Sequence, residues 1–146
     1  MIIRTAQNSD LKPVESLLTA NDLPLDGVSE NFGEFVVAED KGQVTGAIGL
    51  ERFGSAALLR SAVVAPDQRG SGIGARLVEQ LLDRARNTGI SEIYLLTTTA
   101  ENYFPRFGFK RTTREAVPSA VKESAEFKGA CPDSAIVMTR QLDLDA

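Results

Sequence analysis

Histidine is absent from the 146 residues, and so is tryptophan. Without histidine there is no Ser-His-Asp triad and no histidine metal site. The single cysteine, Cys131, excludes an internal disulfide and a multi-thiolate metal site. No apolar run approaches the ~18 residues of a membrane span. The start, MIIRTAQNSD, lacks the basic end and apolar stretch of a signal peptide, so the expected location is the cytoplasm. No segment is dense in Lys and Arg, and the net charge is −4, which speaks against a nucleic-acid partner. A small anionic ligand is still allowed, because backbone N–H groups need no basic patch to hold one.

What is present fits one soluble domain over residues 1–146, with 42% hydrophobic and 25% charged residues. Strand and helix patterns alternate, so the expected class is mixed α/β. IIRTA (2–6) reads as a first strand. Ser9 or Asp10 then caps a helix with Leu11, Val14, Leu17 and Leu18 on one stripe. Residues 34–39, 43–51 and 56–64 read as three antiparallel strands, the first two joined by the Asp40-Lys41-Gly42 turn. Residues 75–89 carry Leu77, Val78, Leu81, Leu82 and Ala85 along one helical face and end on Gly89. A strand over 91–97, a short helix over 100–108 weakened by Pro105, a strand over 109–113 and a last strand over 134–142 complete the pattern. Segments 21–33 and 116–134 resist assignment; the second allows one helix and a loop.

Between the fourth strand and the long helix stands Arg69-Gly70-Ser71-Gly72-Ile73-Gly74. Glycines there open backbone conformations closed to other residues and remove Cβ atoms that would block a ligand. The first N–H groups of the helix lack partners within it, and its dipole favours an anion. A Walker loop would need Gly-Lys-Ser/Thr where this chain has Gly-Ile-Gly-Ala. A dinucleotide fingerprint would need an open parallel sheet around it. Neither applies; a plain connecting turn remains the alternative.

The loop resembles the R/Q-x-x-G-x-G/A signature of the GCN5-related N-acetyltransferases, the GNAT superfamily. AVVAPDQRGSGIGARLVEQLLDRAR is similar to that family's fourth strand, loop and third helix, and YLLTTTAENYFPRFGFKR to its fifth strand and fourth helix. Three stretches, GLERFGSAALLRSAVV, LLTTTAENYFPRFGF and EFKGACPDSAIVMTRQL, most resemble the N-acetyltransferases encoded with arsenic-resistance genes. The last two also resemble the acetyltransferase domain of N-acetylglutamate synthases. The resemblance implies an α+β fold: a mostly antiparallel sheet of six to seven strands, about four flanking helices, and a splay between strands four and five. It implies acetyl-CoA as cosubstrate, with Val63, Val64 and Ala65 along the pantetheine arm and Arg69, Gly70, Ser71, Gly72, Ile73 and Gly74 around the diphosphate. The acceptor it implies is an amino acid or analogue, attacked directly; dimers are common in the family, which allows a homodimer. A biosynthetic role like acetylglutamate synthesis, a non-catalytic CoA-binding module and a peptide acetyltransferase are the competing readings.

An amine of pKa ~8–10 is mostly protonated at neutral pH and must lose a proton before attack. Carboxylates are the candidate bases, and Glu51 at the end of strand three is the first choice; otherwise it is a solvated strand-end charge. Arg60 lies in an apolar strand, where a guanidinium is costly unless paired. It either grips the acceptor carboxylate, as the Arg-Ser/Thr pair of similar amino-acid acetyltransferases implies, or pairs with Glu51 or another acid. The family's tyrosine, which protonates the leaving thiolate, maps to Phe104, with Tyr103 one position earlier; Tyr103 is a candidate acid or a core residue. Cys131 reads as a buried structural cysteine.

Overall fold

A computed structural model describes residues 1–132 and 134–142. Asp133, within the 116–134 segment, and residues 143–146 lie outside the described residues. The chain runs β1 (Ile2–Thr5), α1 (Leu11–Ala20), β2 (Phe35–Asp40), β3 (Gln43–Phe53), β4 (Ala56–Val64), α2 (Ile73–Asn87), β5 (Glu92–Thr97), β6 (Lys110–Arg111) and β7 (Ile136–Gln141). One seven-stranded sheet takes the order β1-β2-β3-β4-β5-β7-β6. All neighbours are antiparallel except β4 and β5. This is the mostly antiparallel, splayed α+β sheet expected above. Besides the two α-helices, the described residues form short 3-10 turns and one π turn.

Two apolar layers cover the sheet. The stripe Leu77, Val78, Leu81, Leu82 and Ala85 of α2 is buried against Val36, Ile48, Leu50 and Leu59. Ile73 extends the stripe, so α2 begins two residues before the expected start. On the other face, Val14 and Leu18 of α1 pack with Val28, Phe35, Val37 and Val63. Burying each of these large side chains contributes about 1.5–3 kcal/mol.

The entry to α1 differs from a simple cap. Asp10 closes a single 3-10 turn over Asn8–Asp10. Its carboxylate accepts from the Gln7 backbone N–H at 2.7 Å. Arg4 donates to both its oxygens, at 2.7 and 3.1 Å, and also to Glu39. The hydrogen bond from Arg4 is the largest cause holding the Asp10 carboxyl below its ordinary range. A lowered folded pKa means that the unfolded chain binds more protons over that window. The contribution is therefore complete above the unfolded value of ~3.9 and is lost as pH falls through the folded value. Asp10→Asn should lower the melting temperature at pH 7, and the gap to the parent protein should close towards pH ~2, as thermal unfolding followed by circular dichroism would show.

Proline redirects one expected helix. Over 100–108 only Phe104–Phe107 is helical, as a 3-10 turn, because Pro105 has no N–H to continue an α-helix. Gly108 ends the turn at φ 85°. The 116–134 segment also departs from one helix: it forms 3-10 turns and a π turn over Glu126–Ala130, broken at Gly129 with φ 121°.

Candidate active site

The site begins where the sheet opens. β4 pairs with β5 only over Ala56–Leu58 and Glu92–Tyr94. Beyond Leu58 the two strands part. β4 also bulges there: Ala47 faces Val63 and Gly49 faces Arg60, so Ile48 opposes both Ser61 and Ala62. Ser61 takes the strain at φ 59°. Because side chains alternate, one extra residue exchanges the faces. Ala57 and Leu59 face α2 before the bulge, whereas Val64 does so after it and Val63 turns to α1. The bulge thus leaves a stretch of strand backbone facing a gap.

The gap is a cleft of about 720 Å³, lined on one side by Arg60–Val64 and on the other by Leu95–Ala100. One end is the glycine loop. Gly70 and Gly72 sit at φ 86° and 85°, with open space where a Cβ would stand. Only glycine adopts that region without cost. Gly72 is the residue before α2, so the free N–H groups of the first helical turn open from it towards the cleft. Two side chains brace the loop. Ser71 Oγ donates to the Gln68 carbonyl at 2.6 Å. Arg69 donates through Nε to the Val64 carbonyl and through Nη2 to Asn21 Oδ1, at 3.2 and 2.8 Å. Arg69 therefore ties the loop to the end of β4. The resulting cradle of amides at a helix N-terminus suits an anion.

Tyr103 faces this cradle. A Cβ added to Gly74 would come within 2.9 Å of its hydroxyl, so glycine is what admits the phenol. Phe104 points into the core beside Phe109, at a ring separation of 5.7 Å. Both rings line the cleft, but Tyr103 brings its hydroxyl to the glycine loop, whereas Phe104, 5% exposed, is a core residue. Arg106 stacks on the Tyr103 ring at 4.5 Å. Burial raises the Tyr103 pKa above its ordinary value, an effect reduced by Arg106.

The opposite end of the cleft carries buried charge. The Arg60 side chain is 0% exposed. It donates to Glu51 Oε1 at 3.0 Å, to Ser61 Oγ at 3.1 Å and to the Asp26 carbonyl. Glu126 Oε2 lies 3.7 Å from its Nη2. Two of the expected site residues meet in this cluster. Glu51 does not line the cleft; its carboxylate is tied to Arg60 along the β3–β4 pair, which leaves it poorly placed as a base. Arg60 is engaged by the protein itself, so of its two readings the paired one matches this geometry.

Sequence patterning missed Glu126, because it stands in the irregular 116–134 segment. It lines the cleft and is only 5% exposed. Desolvation raises its pKa above the usual carboxylate range; Arg60 opposes the rise and Glu51 adds to it. Cys131, half-buried beside Glu126, has its thiol pushed up to about 11, chiefly by burial. Such a thiol stays protonated and unreactive at neutral pH. Among the described residues no group of acidic, cysteine or histidine side chains could hold a metal ion, and no helix is long and apolar enough to cross a membrane.

Known proteins resemble this chain in sequence and fold. The amino-acid acetyltransferase of Neisseria meningitidis serogroup A is 25% identical over 87% of this chain. The chain spans only 31% of that relative's length. An uncharacterized N-acetyltransferase of Chlorobaculum tepidum, CT2212, is 29% identical over 79% of the chain and 76% of its own length. Among solved structures, Rv2747 from Mycobacterium tuberculosis, in complex with CoA and a second ligand, superposes with a TM-score of 0.84 at 25% identity, over 98% of this chain and 100% of that one. N-acetylglutamate synthase from Neisseria gonorrhoeae, complexed with coenzyme A and N-acetyl-glutamate, has the same fold, with a TM-score of 0.84 at 23% identity over 97% of this chain and 35% of that one. The acetyltransferase (GNAT) domain family matches residues 31–111, more than half of the sequence. With its splayed sheet and its glycine loop ahead of α2, this chain belongs to the GNAT acetyltransferase family.

Proposed function

We propose that residues 1–146 act as a single N-acetyltransferase domain that moves acetyl from acetyl-CoA to the amino group of a small amino acid or amino-acid analogue. The observation that carries this reading is the continuity of one cleft from the amide cradle at Gly70–Gly74 to the opened backbone of β4. The cradle fits a diphosphate: its amides are accessible, its glycines leave the approach free and the helix dipole favours negative charge. Val63 and Val64 offer strand backbone to the amide groups of a pantetheine arm; Ala65 follows the strand, its N–H given to the Thr45 carbonyl and its carbonyl accepting from the Gln68 N–H. Acetyl-CoA would supply an activated acetyl thioester. The N–H of Val63 or Val64 would face its carbonyl oxygen and stabilise the charge that develops there. Tyr103, a phenol protonated at neutral pH whose pKa burial raises further, would hand a proton to the departing sulfur. Holding amine and thioester together in one ternary complex supplies much of the rate.

An amino-acid acceptor is supported by relatives named amino-acid acetyltransferase and by the N-acetylglutamate synthase likeness. Within that class we favour an amino-acid analogue of the kind handled by N-acetyltransferases of arsenic-resistance operons, which three stretches resemble. A cytoplasmic location and a homodimer are part of the same proposal, supported by the family resemblance; sedimentation checks the dimer. The direct experiment incubates the protein with acetyl-CoA and a pool of free amino acids, including glutamate and phosphinothricin-like analogues, and follows thiol release and acetylated products by mass spectrometry. Acetylated analogues support the reading. Acetylglutamate alone would make the enzyme biosynthetic. Tight CoA binding with no thiol release would make the chain a binding module.

A further inference from the structure

We propose that Glu126 is the group that receives the acceptor's amine proton, with Arg60 as the residue that positions it. The inference rests on the N-acetyltransferase reading and deepens it. Among the described residues two carboxylates line the cleft, Asp22 and Glu126. Asp22 is exposed near the glycine loop, beside Asn21, which Arg69 holds. Glu126 lies at the other end, against Arg60, which precedes the strained Ser61 of the β4 bulge. From Val64, the last residue of β4, back to Ser61 at the bulge is three residues, at most about 10 Å. An arm that starts at the cradle and follows β4 therefore brings its reactive end towards Glu126.

The turn that carries Glu126 is fixed locally. The Phe127 N–H donates to Ser124 Oγ at 3.4 Å, and the Cys131 N–H donates to the Glu126 carbonyl at 3.3 Å. Arg60 is locked by Glu51, Ser61 and the Asp26 carbonyl, and its contact with Glu126 is the longest of the set at 3.7 Å. That distance is an ion pair, not a hydrogen bond, so the carboxylate is steadied while an oxygen remains able to accept a proton. The groups facing Glu126 are Arg60 from β4, Glu51 from β3 and the Cys131 thiol from the end of its own turn, with Arg114 across the neighbouring Phe127 ring. Burial dominates this set and brings the carboxyl closer to the pKa of an amine.

The step balances. The ammonium form of the acceptor gives one proton to Glu126 and becomes a neutral amine. Its lone pair forms the new C–N bond at the acetyl carbonyl, and the C–S bond breaks with its electrons leaving on sulfur. The nitrogen sheds its second proton to solvent, the sulfur gains one from water or from Tyr103, which regains it from solvent, and Glu126 returns its proton to solvent. The products are the N-acetyl compound, CoA thiol and one proton.

The test compares the protein with Glu126→Gln and Glu126→Asp, each first checked for acetyl-CoA binding by calorimetry. Glu126→Gln should keep acetyl-CoA affinity within threefold and lose about 100-fold in kcat at pH 7. Its deficit should shrink as pH rises, because solvent then supplies neutral amine. Independently of turnover, the Glu126 carboxyl carbon in 13C-labelled, ligand-free protein should titrate above the range of exposed glutamates, and this resonance should vanish in Glu126→Gln. A kcat within threefold of the parent, or an unchanged pH profile, overturns the assignment. If Glu126→Gln does not fold, Glu126→Asp decides: a tenfold or larger kcat loss with the pH limb retained supports the role, and parental kcat overturns it. If the parent protein releases no thiol with any amine, the N-acetyltransferase reading falls and the assignment falls with it; turnover by the parent that Glu126→Gln retains overturns the assignment alone.

Discussion

Arg60→Leu should melt roughly 6–20 °C below the parent protein. The guanidinium is fully enclosed, Glu126 is buried at 6% side-chain exposure and Glu51 is half-buried at 14%. Removing the cation leaves two carboxylates facing each other with no counter-charge. Breaking a buried ion pair from one side costs about 3–5 kcal/mol. The Ser61 hydroxyl and the Asp26 carbonyl lose donors in the same stroke. The sign with pH follows from the carboxyls. Burial already raises the Glu126 carboxyl and Arg60 opposes that rise, so protonation of Glu126 relieves the repulsion and the deficit of Arg60→Leu should be smaller at pH 4.5 than at pH 7.5, in units of melting temperature measured by calorimetry. The combined variant Arg60→Leu, Glu51→Gln, Glu126→Gln removes all three charges and should recover most of the lost stability, because an apolar or neutral replacement of a whole buried cluster is often tolerated. It should not recover turnover.

Gly72→Val should weaken acetyl-CoA binding by about 10- to 100-fold with little change in the fold. Valine at φ 85° costs about 1–2 kcal/mol, so the chain escapes by turning the peptide and re-aiming the amides of the cradle. Each lost hydrogen bond to a charged group is worth about 1.5–3 kcal/mol, or roughly one to two decades in affinity. No atom lies within 4 Å of the added Cβ position, so packing is not the cause. Gly42→Val is the control. Gly42 has φ 79° and equally open surroundings, but it sits in the β2–β3 turn, away from the cleft. It should bear the same strain and leave calorimetric acetyl-CoA affinity unchanged.

The regular parts of this molecule were legible because periodicity carries them. The α2 stripe, the three-strand meander and the turn at Lys41-Gly42 follow from patterns of 3.6 and 2 with glycine punctuation. The cradle was legible because three glycines at alternate positions have few structural uses. The bulge was not: Arg60-Ser61-Ala62 reads as ordinary strand, and only pairing with β3 shows the extra residue. The partners of Arg60 could be foreseen as acids but not told apart. Glu51 follows from its place across the sheet, whereas Glu126 comes from a chain of 3-10 and π turns with no period to read. Tyr103 and Phe104 show the same limit. A helical wheel sets them ~100° apart, but it could not foresee that Pro105 would shorten the helix into a turn that brings the Tyr103 hydroxyl to the glycine loop while Phe104 is buried in the core.

The cradle is tested most directly by a crystal structure of the protein grown with CoA. The diphosphate oxygens should lie about 2.7–3.2 Å from backbone N–H groups within Gly70–Gly74, and the arm should run along Val63–Ala65 towards Glu126. A fully occupied CoA whose diphosphate contacts none of those amides would contradict this assignment of the cleft.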